Sequence, residues 1–485
     1  NIGSAVIGGT MNKTGSFELE ATKVGSETVL AQIIRLIEEA QGSKAPIQNV
    51  ADSISAWFVP SVIGIAVLTF VVWYVLLGST LSFALMALIS VIVIACPCAL
   101  GLATPTALMV GMGRGAEQGI LIKGGEALEA ASTVSTVIFD KTGTLTKGKP
   151  EVTDVISCGA VDEDEVLAIS AGLEKLSEHP LAEAIYSYAQ EKRIDPKETY
   201  GFRAIPGHGV QGGIGGMTYF LGNRSFVSET LGIDGKILDR VASPLEERGK
   251  TTMMLATKEG ILGVIAVADT VKDTSREAVE KLGKMGIEVW MITGDNVRTA
   301  KAIANHAGIS HVLAEVLPDA KANAVKKIQD AGKRVAMVGD GINDAPALAQ
   351  ASVGIAMGSG TDVAMEAGSI VIVKNDPNDV VTALELSKET MEKIRQNMFF
   401  ALFYNVIGIP IAARAFFSFG LVLKPELAGL AMAMSSVSVV GNSLLLRLFR
   451  PGKRNVVSLI APLVMVAVFS IAFITFASWS RSMGE

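Results

Sequence analysis

Hydrophobic and polar residues segregate in three different ways along this 485-residue chain. Residues 53–113 carry no charge, and Gly78-Ser79-Thr80 interrupts the run near its middle. That length suits two membrane-spanning helices of about 20 to 25 residues each. Further apolar stretches fall near 397–417, 426–446 and 455–480. Elsewhere, 114–147 and 265–390 alternate short apolar runs with amphipathic stretches such as 276–285 and 319–331. Alternation of that kind predicts a doubly wound α/β domain. Residues 148–264 break it with many glycines, mixed charge and short strands, which predicts an inserted α+β domain. At the start, 6–10 and 15–19 read as short strands, and 29–40 as a helix leading into the membrane. The expected order is a soluble part over 1–45, two spans over 46–113 and the α/β domain over 114–147 and 265–390. The insert occupies 148–264, two more spans 391–450, and a possible extra span 451–485.

Composition agrees with a mixture of membrane and soluble parts, since 49% of residues are apolar. A net charge of −6 gives no support for a nucleic-acid surface. Three cysteines, Cys96, Cys98 and Cys158, are too few for a disulfide framework and point to a cytosolic setting for the soluble part. Asn1-Ile2-Gly3-Ser4 is not a signal peptide. Basic residues gather at Arg35 and Lys44, Arg114 and Lys123, Lys393 and Arg395, and Arg447 to Arg454. All share one side if the first four spans alternate. The positive-inside bias then makes 114–396 cytoplasmic, in a protein expected at the cell membrane.

Three apolar runs end in acidic, glycine-containing loops. Thr136–Phe139 leads into Asp140-Lys141-Thr142-Gly143-Thr144, and Val289–Ile292 into Thr293-Gly294-Asp295. Val335–Val338 leads into Gly339-Asp340-Gly341-Ile342-Asn343-Asp344. Parallel strands would bring the three loops to one sheet edge. A carboxylate at the end of a buried strand, beside a lysine and two hydroxyls, suits a nucleophile that forms an acyl phosphate.

Together these strings resemble the P-type ATPases, ion pumps that phosphorylate their own aspartate with ATP. The resemblance covers nearly the whole chain. It implies that Asp140 is phosphorylated, and that Mg²⁺ is held by Asp140, Asp340 and the main-chain carbonyl of Thr142. Such a cation takes octahedral oxygen ligands and offsets phosphoryl charge. It also implies that Lys321 lies near the phosphoryl group, with Thr293 and Asp344 acting in the same place. Ala320 stands where the family usually has an acid before that lysine. The implied fold is a set of transmembrane helices plus a haloacid-dehalogenase-like α/β phosphorylation domain with an inserted α+β nucleotide-binding domain. Residues 1–45 resemble the tail of the actuator domain, whose Thr-Gly-Glu motif would precede Asn1. The chain thus reads as the C-terminal two-thirds of a pump.

Within the insert, Glu174, Ser177, His179 and Pro180 are followed by Gly207-His208-Gly209 and Gly222-Asn223-Arg224. A carboxylate, an imidazole and an amide can bond or stack on adenine, and glycines let the backbone approach it. Their joint occurrence resembles the nucleotide-binding insert of the heavy-metal pumps. It implies that Glu174, His179, Gly207, Gly209 and Asn223 bind ATP.

Cys96-Pro97-Cys98 lies inside an apolar span, where proline breaks the helix and two thiolates offer soft ligands suited to Cu(I). Tyr404-Asn405 lies in the third span, and Met432-Ala433-Met434-Ser435-Ser436 in the fourth, with Met432 and Ser436 on one helical face. These strings resemble the copper-transporting subclass of heavy-metal P-type ATPases. The resemblance implies a Cu(I) site of Cys96, Cys98, Tyr404, Asn405, Met432 and Ser436, with Asp52 passing the ion from the cytosol, supplied by a cytosolic copper chaperone. A zinc or cadmium pump would carry an acid in the last of these helices, and none occurs between Leu427 and Leu446. Alternatives are an Ag(I) pump, a copper-binding membrane fragment without full turnover, or a phosphatase of the haloacid dehalogenase class. The last usually has an aspartate two residues after the nucleophile, where this chain has Thr142.

Overall fold

A computed structural model describes residues 45–482 apart from 160, 178–179, 206–207, 233–234, 296, 359–361 and 454, together with 18, 20, 24 and 25. The strands and helix expected within 1–45 lie outside the described residues. The chain divides into two compact units: residues 1–133, 369–373 and 382–485, and residues 134–368 and 374–381.

The first unit is built from long apolar helices. Among the described residues, Pro46–Leu76, Leu81–Glu117 and Pro425–Leu448 are long and apolar enough to cross a membrane. The first begins with proline, which needs no N–H partner there, and Glu129 accepts the Ile47 N–H at 2.8 Å. Thr80 caps the helix Leu81–Ile94 by accepting the Phe83 N–H at 3.3 Å. That helix stops at Ala95, and Cys98–Glu117 begins after Pro97, which has no N–H to continue the ladder. The stretch expected to span 397–417 is the end of a longer helix, Pro377–Ala412, whose first half is charged. It stops short of 417, and Arg414 turns the chain with φ +62°. Near 455–480 lies a further helix, Val456–Ser482.

These helices share an apolar core that includes Val62, Val91, Ile94, Phe400, Tyr404 and Ala431. At Gly111 a Cβ would fall 2.5 Å from Thr390 Oγ1, so glycine there permits close approach of Cys98–Glu117 to Pro377–Ala412. A short strand β1 (Ile120–Ile122) pairs antiparallel with Ile370–Ile372 in the same unit.

In the second unit, β2 (Thr136–Asp140) leads through a tight turn into β3 (Thr146–Ser157). Then come β4 (Tyr200–Ile205), β5 (Gly209–Ile214), β6 (Met217–Gly222), β7 (Thr251–Thr257) and β8 (Gly260–Val271). With β3 they form an antiparallel sheet of order β3-β8-β7-β6-β5-β4. The helices Glu163–Glu174 and Pro180–Glu191 share a core with that sheet. This is the expected α+β insert. The chain returns through β9 (Glu288–Ile292), β10 (His311–Leu313), β11 (Val335–Gly339) and β12 (Val353–Met357). These join β2 in parallel, in the order β12-β11-β2-β9-β10. Central β2 is buried along its whole length, as strands covered on both faces are. Phe139 is level with Met291 and Val338. The loops after β2, β9 and β11 therefore leave one edge together, as the three acidic strings require.

Candidate functional site

Asp140 ends β2 and is buried. Its Oδ2 accepts the Thr142 N–H at 2.9 Å, so the nucleophile candidate caps its own turn. Lys321, on the helix Pro318–Asp330, places Nζ 2.6 Å from Asp140 Oδ1 and 2.7 Å from Asp344 Oδ1. All three side chains are buried. Asp344 Oδ2 accepts the Gly341 N–H at 3.1 Å, which fixes the loop after β11. Carboxylate oxygens of Asp140, Asp340 and Asp344 all lie within 4.8 Å of one another. Lys321 bonds two of these acids and Lys272 acts on Asp340 by charge alone, so carboxylates outnumber the cations and give the oxygen donor set that suits Mg²⁺. The residues therefore fit the implied cation.

Burial, reinforced by Asp344, pushes the Asp140 carboxyl up to about 7, against the pull of Lys321. Burial and Asp344 likewise raise Asp340 to about 6. Burial lowers the Lys321 ammonium, but Asp140 and Asp344 outweigh it and hold it above its ordinary value. Gly143 makes the geometry possible: at φ +69°, its Cβ would overlap Asp340 Oδ2 at 1.7 Å. Thr293 is buried, and its Oγ1 accepts the Asp295 N–H at 3.1 Å, so it shapes its own loop. Lys141 bonds Asp295 Oδ2 at 2.7 Å, joining the first and second acidic loops.

Two residues at this edge escaped the sequence reading. Lys272 follows β8 and donates to the carbonyls of Gly143 at 2.8 Å and Asn375 at 3.0 Å. Burial lowers its ammonium to about 8, against the pull of Asp340. Asp269, on β8, accepts from Thr146 Oγ1 at 2.5 Å and the Gly148 N–H at 2.9 Å. The only signal for them was the string Asp269-Thr270-Val271-Lys272 at a strand end.

In the insert, Glu174 is buried at the end of its helix and its Oε2 has no hydrogen-bond partner. Burial raises its carboxyl to about 7, although Ser177 donates to it. Such a group is arranged to meet something else. Gly209 and Gly222 face each other across β5 and β6. A Cβ at Gly209 would lie 2.2 Å from the Leu221 carbonyl, so strand packing alone demands glycine there. Asn223 receives a structural duty: its Oδ1 caps the helix Arg224–Leu231 by accepting the Phe226 N–H at 2.9 Å. His179 and Gly207 lie outside the described residues.

In the membrane helices, Asp52 is exposed in the second turn of the first helix. Tyr404 and Asn405 are buried, and Met432 and Ser436 are half-buried. Ala95 beside Cys96, Tyr404, and Ala431 beside Met432 belong to one buried cluster, so the three strings converge. Cys96 and Cys98, read as two thiolates, are joined here as a disulfide across Pro97 with their Cα atoms 5.4 Å apart. The break at Pro97 turns both sulfurs to the same side, and only the reduced pair has thiolates to offer a metal. The sequence reading also missed Lys393, Asn397 and Asn442, which are buried and bonded together across two helices. Lys393 Nζ donates to Asn442 Oδ1, and Asn442 Nδ2 to Asn397 Oδ1, each at 2.9 Å. Polar residues inside apolar runs were the available signal.

Residues 134–352 match the family model of the haloacid dehalogenase-like hydrolases. The chain is 53% identical over 452 residues to the "Probable copper-transporting ATPase PacS" of Synechococcus elongatus, covering 93% of this chain and 60% of that protein. It is 52% identical over 452 residues to the copper-exporting P-type ATPase of Staphylococcus aureus, covering 93% of this chain and 55% of that one. The chain thus spans a little over half the length of these relatives. Among solved structures, a zinc-transporting PIB-type ATPase in its E2.Pi state superposes with a TM-score of 0.75 and 34% identity, over 88% of this chain and 69% of that one. At 34% identity over 69% of that structure's chain, the likeness shows the family: the chain belongs to the PIB-type ATPases.

Proposed function

We propose that this chain carries the phosphorylation, nucleotide-binding and ion-conducting parts of an ATP-driven Cu(I) exporter. The observation that carries the reading is the ion-paired Asp140–Lys321–Asp344 cluster beside Asp340, at the edge where three strands end. Asp140 Oδ attacks the γ-phosphorus of ATP, the bond to the β,γ-bridging oxygen breaks, and ADP leaves with that electron pair. The product is an acyl phosphate on Asp140. Lys321 draws the Asp140 carboxyl toward its ionised form, against burial and Asp344, and then faces the phosphoryl oxygens. Thr142 N–H orients the attacking carboxylate. Mg²⁺, which Asp140 and Asp340 together with the Thr142 carbonyl would hold, supplies charge neutralisation on the phosphates. Thr142 stands where a hydrolytic relative would have an acid, which favours a lasting phosphoenzyme over rapid hydrolysis.

Glu174, with its unpartnered oxygen, is the insert residue best placed to accept from an adenine amino group; His179, Gly207, Gly209 and Asn223 complete the proposed pocket. Cu(I) is favoured over Zn²⁺ because the helix Pro425–Leu444 has no acid after Glu426, in its first turn. The names of the relatives in Synechococcus and Staphylococcus support the same ion, whereas the zinc pump supports only the shared architecture. Asp52 is the proposed entry residue, and a soluble copper chaperone the proposed donor.

The test is acid-stable incorporation of label from [γ-³²P]ATP into the reduced 485-residue chain, against buffered Cu(I), Ag(I) and Zn²⁺. Asp140→Asn abolishes the label, and replacing Cys96 and Cys98 by Ser removes its Cu(I) dependence. Label surviving Asp140→Asn, or stimulation by Zn²⁺ alone, refutes the reading.

A further inference from the structure

Arg414 lies just beyond the helix Pro377–Ala412, with φ +62° and 6% of its surface exposed. Its guanidinium carbon sits 3.6 Å from the centroid of the Phe83 ring. Its buried Nε has no hydrogen-bond partner, and among the described residues no charged group faces it. A cation buried at membrane depth without an anion is costly, and such residues mark ligand sites. Phe83 offsets part of that cost by cation–π attraction but brings no negative charge.

The same side chain lines a cavity of about 420 Å³, walled by Ile65, Leu68, Val72, Trp73 and Phe417, with Ser418 at its edge. Trp73 is held in place. Its Nε1 donates to the Ala413 carbonyl at 3.0 Å, and its ring packs edge-on to Phe83 and Phe417 with centroids 5.1 and 5.6 Å away. Ile65 and Leu68 are exposed and extend the apolar wall along the outside of the first helix. The cavity lies where that helix ends and the helix Leu81–Ile94 begins, at the opposite end of the bundle from Glu117. Trp and Tyr are enriched at the depth of lipid headgroups, and Trp73-Tyr74 stand at this helix end.

One buried cation at the head of an apolar groove is complementary to an amphiphilic anion. A metal ion is repelled by the guanidinium, dissolved phosphate leaves the groove unfilled, and a protein carboxylate answers the charge without covering the wall. We propose that this cavity binds one anionic phospholipid, its phosphodiester on Arg414 and an acyl chain along Ile65, Leu68 and Val72. None of its lining residues is one proposed above to hold the ion or the nucleotide.

The experiment is native mass spectrometry of the 485-residue chain in detergent, titrated with phosphatidylglycerol, phosphatidylcholine of the same acyl chains, or inorganic phosphate. The expected result is one retained phosphatidylglycerol per chain, favoured at least tenfold over phosphatidylcholine and not displaced by millimolar phosphate. Arg414→Gln brings retention down to the phosphatidylcholine level. Leu68→Trp, at an exposed position that leaves Arg414 untouched, obstructs the groove and also lowers retention. Equal retention of the two lipids, displacement by phosphate, or wild-type retention in either variant overturns the proposal. The headgroup comparison on the unmodified chain decides the matter even if Arg414→Gln fails to fold.

Discussion

Replacing Gly143 by Ala tests whether the acidic edge works through the placement of Asp340. An alanine Cβ there would sit 1.7 Å from Asp340 Oδ2 and 2.5 Å from its Cγ. Ordinary contact begins near 3.4 Å, so the carboxylate must retreat by about 3.4 − 1.7 = 1.7 Å. Metal–ligand distances are held to about ±0.2 Å, so a displacement of that size would remove Asp340 from the proposed Mg²⁺ site. The φ of +69° adds about 1–2 kcal/mol of backbone cost for any residue with a Cβ. A misplacement near 1 Å typically costs about 10²-fold in rate. Phosphorylation of Asp140 by ATP is therefore expected to fall at least about a hundredfold, with a raised Mg²⁺ requirement. Gly286→Ala is the control. It has a similar φ of +77°, but nothing lies within 4 Å of its Cβ position, so it carries the backbone cost alone. The assay is initial-rate labelling from [γ-³²P]ATP over a Mg²⁺ titration, with thermal unfolding of both variants recorded. Wild-type labelling in Gly143→Ala, or an equal loss in Gly286→Ala, refutes the reasoning.

Lys321→Met strands two buried carboxylates, an arrangement that costs about 3–5 kcal/mol when one partner of a buried pair is removed; labelling should vanish and the apparent unfolding temperature should drop, and an unchanged melting curve would mean that the pair does not form. Glu174→Gln should raise the ATP concentration for half-maximal labelling while acetyl phosphate still phosphorylates Asp140 normally; equal loss with both donors would remove Glu174 from the adenine pocket. The pH dependence has a definite sign. Asp140 moves from an ordinary 3.8 up to about 7 on folding, and Asp340 up to about 6, so between pH 4 and 7 the folded state binds more protons than the unfolded state. Stability without divalent cations should fall as pH rises through that window, and Mg²⁺ should oppose the fall. Melting curves at pH 5 and pH 8, with and without Mg²⁺, check this, and greater cation-free stability at pH 8 would contradict it.

The parallel sheet and its acidic edge were legible because the chemistry demands particular residue types at strand ends. A buried run such as Thr136–Phe139 can only be a central strand, and an aspartate followed by Gly143 at positive φ can only be a tight turn. Lys272 was not legible. It follows β8 as any surface lysine might follow a strand, and only the fold brings it to the Gly143 carbonyl. Asn223 shows the opposite difficulty. An Asn-Arg-Ser-Phe string serves adenine recognition and helix capping equally well on paper, and the structure commits Oδ1 to the cap. The third apolar stretch was misjudged at its end, because hydropathy ran on through Phe416 and Phe417 while the backbone turned at Arg414. Hydropathy reports burial or lipid contact and carries no information about where a helix stops.

The polar inventory of the membrane helices bears on the choice of ion. Most hydroxyls there are already spent on their own helix. Thr69 donates to the Ile65 carbonyl, Ser90 to Met86, Ser438 to Ser435 and Ser443 to Val439, all at 2.7 to 2.9 Å. The amides of Asn397 and Asn442 bond one another and Lys393. These hydroxyl protons are held by carbonyls that the helix ladder already uses. A hard divalent ion favours carboxylate oxygens or imidazole nitrogens, and residues 53–113, 397–413 and 427–446 contain no Asp, Glu or His. What they do supply is sulfur: Cys96 and Cys98 at the proline break once reduced, and half-buried Met432 on the helix Pro425–Leu444. Sulfur gains little from hydrogen bonding, so these donors stay available to a metal. The proposed preference for a soft monovalent ion rests on sulfur donors set in apolar stretches that lack carboxylate and imidazole.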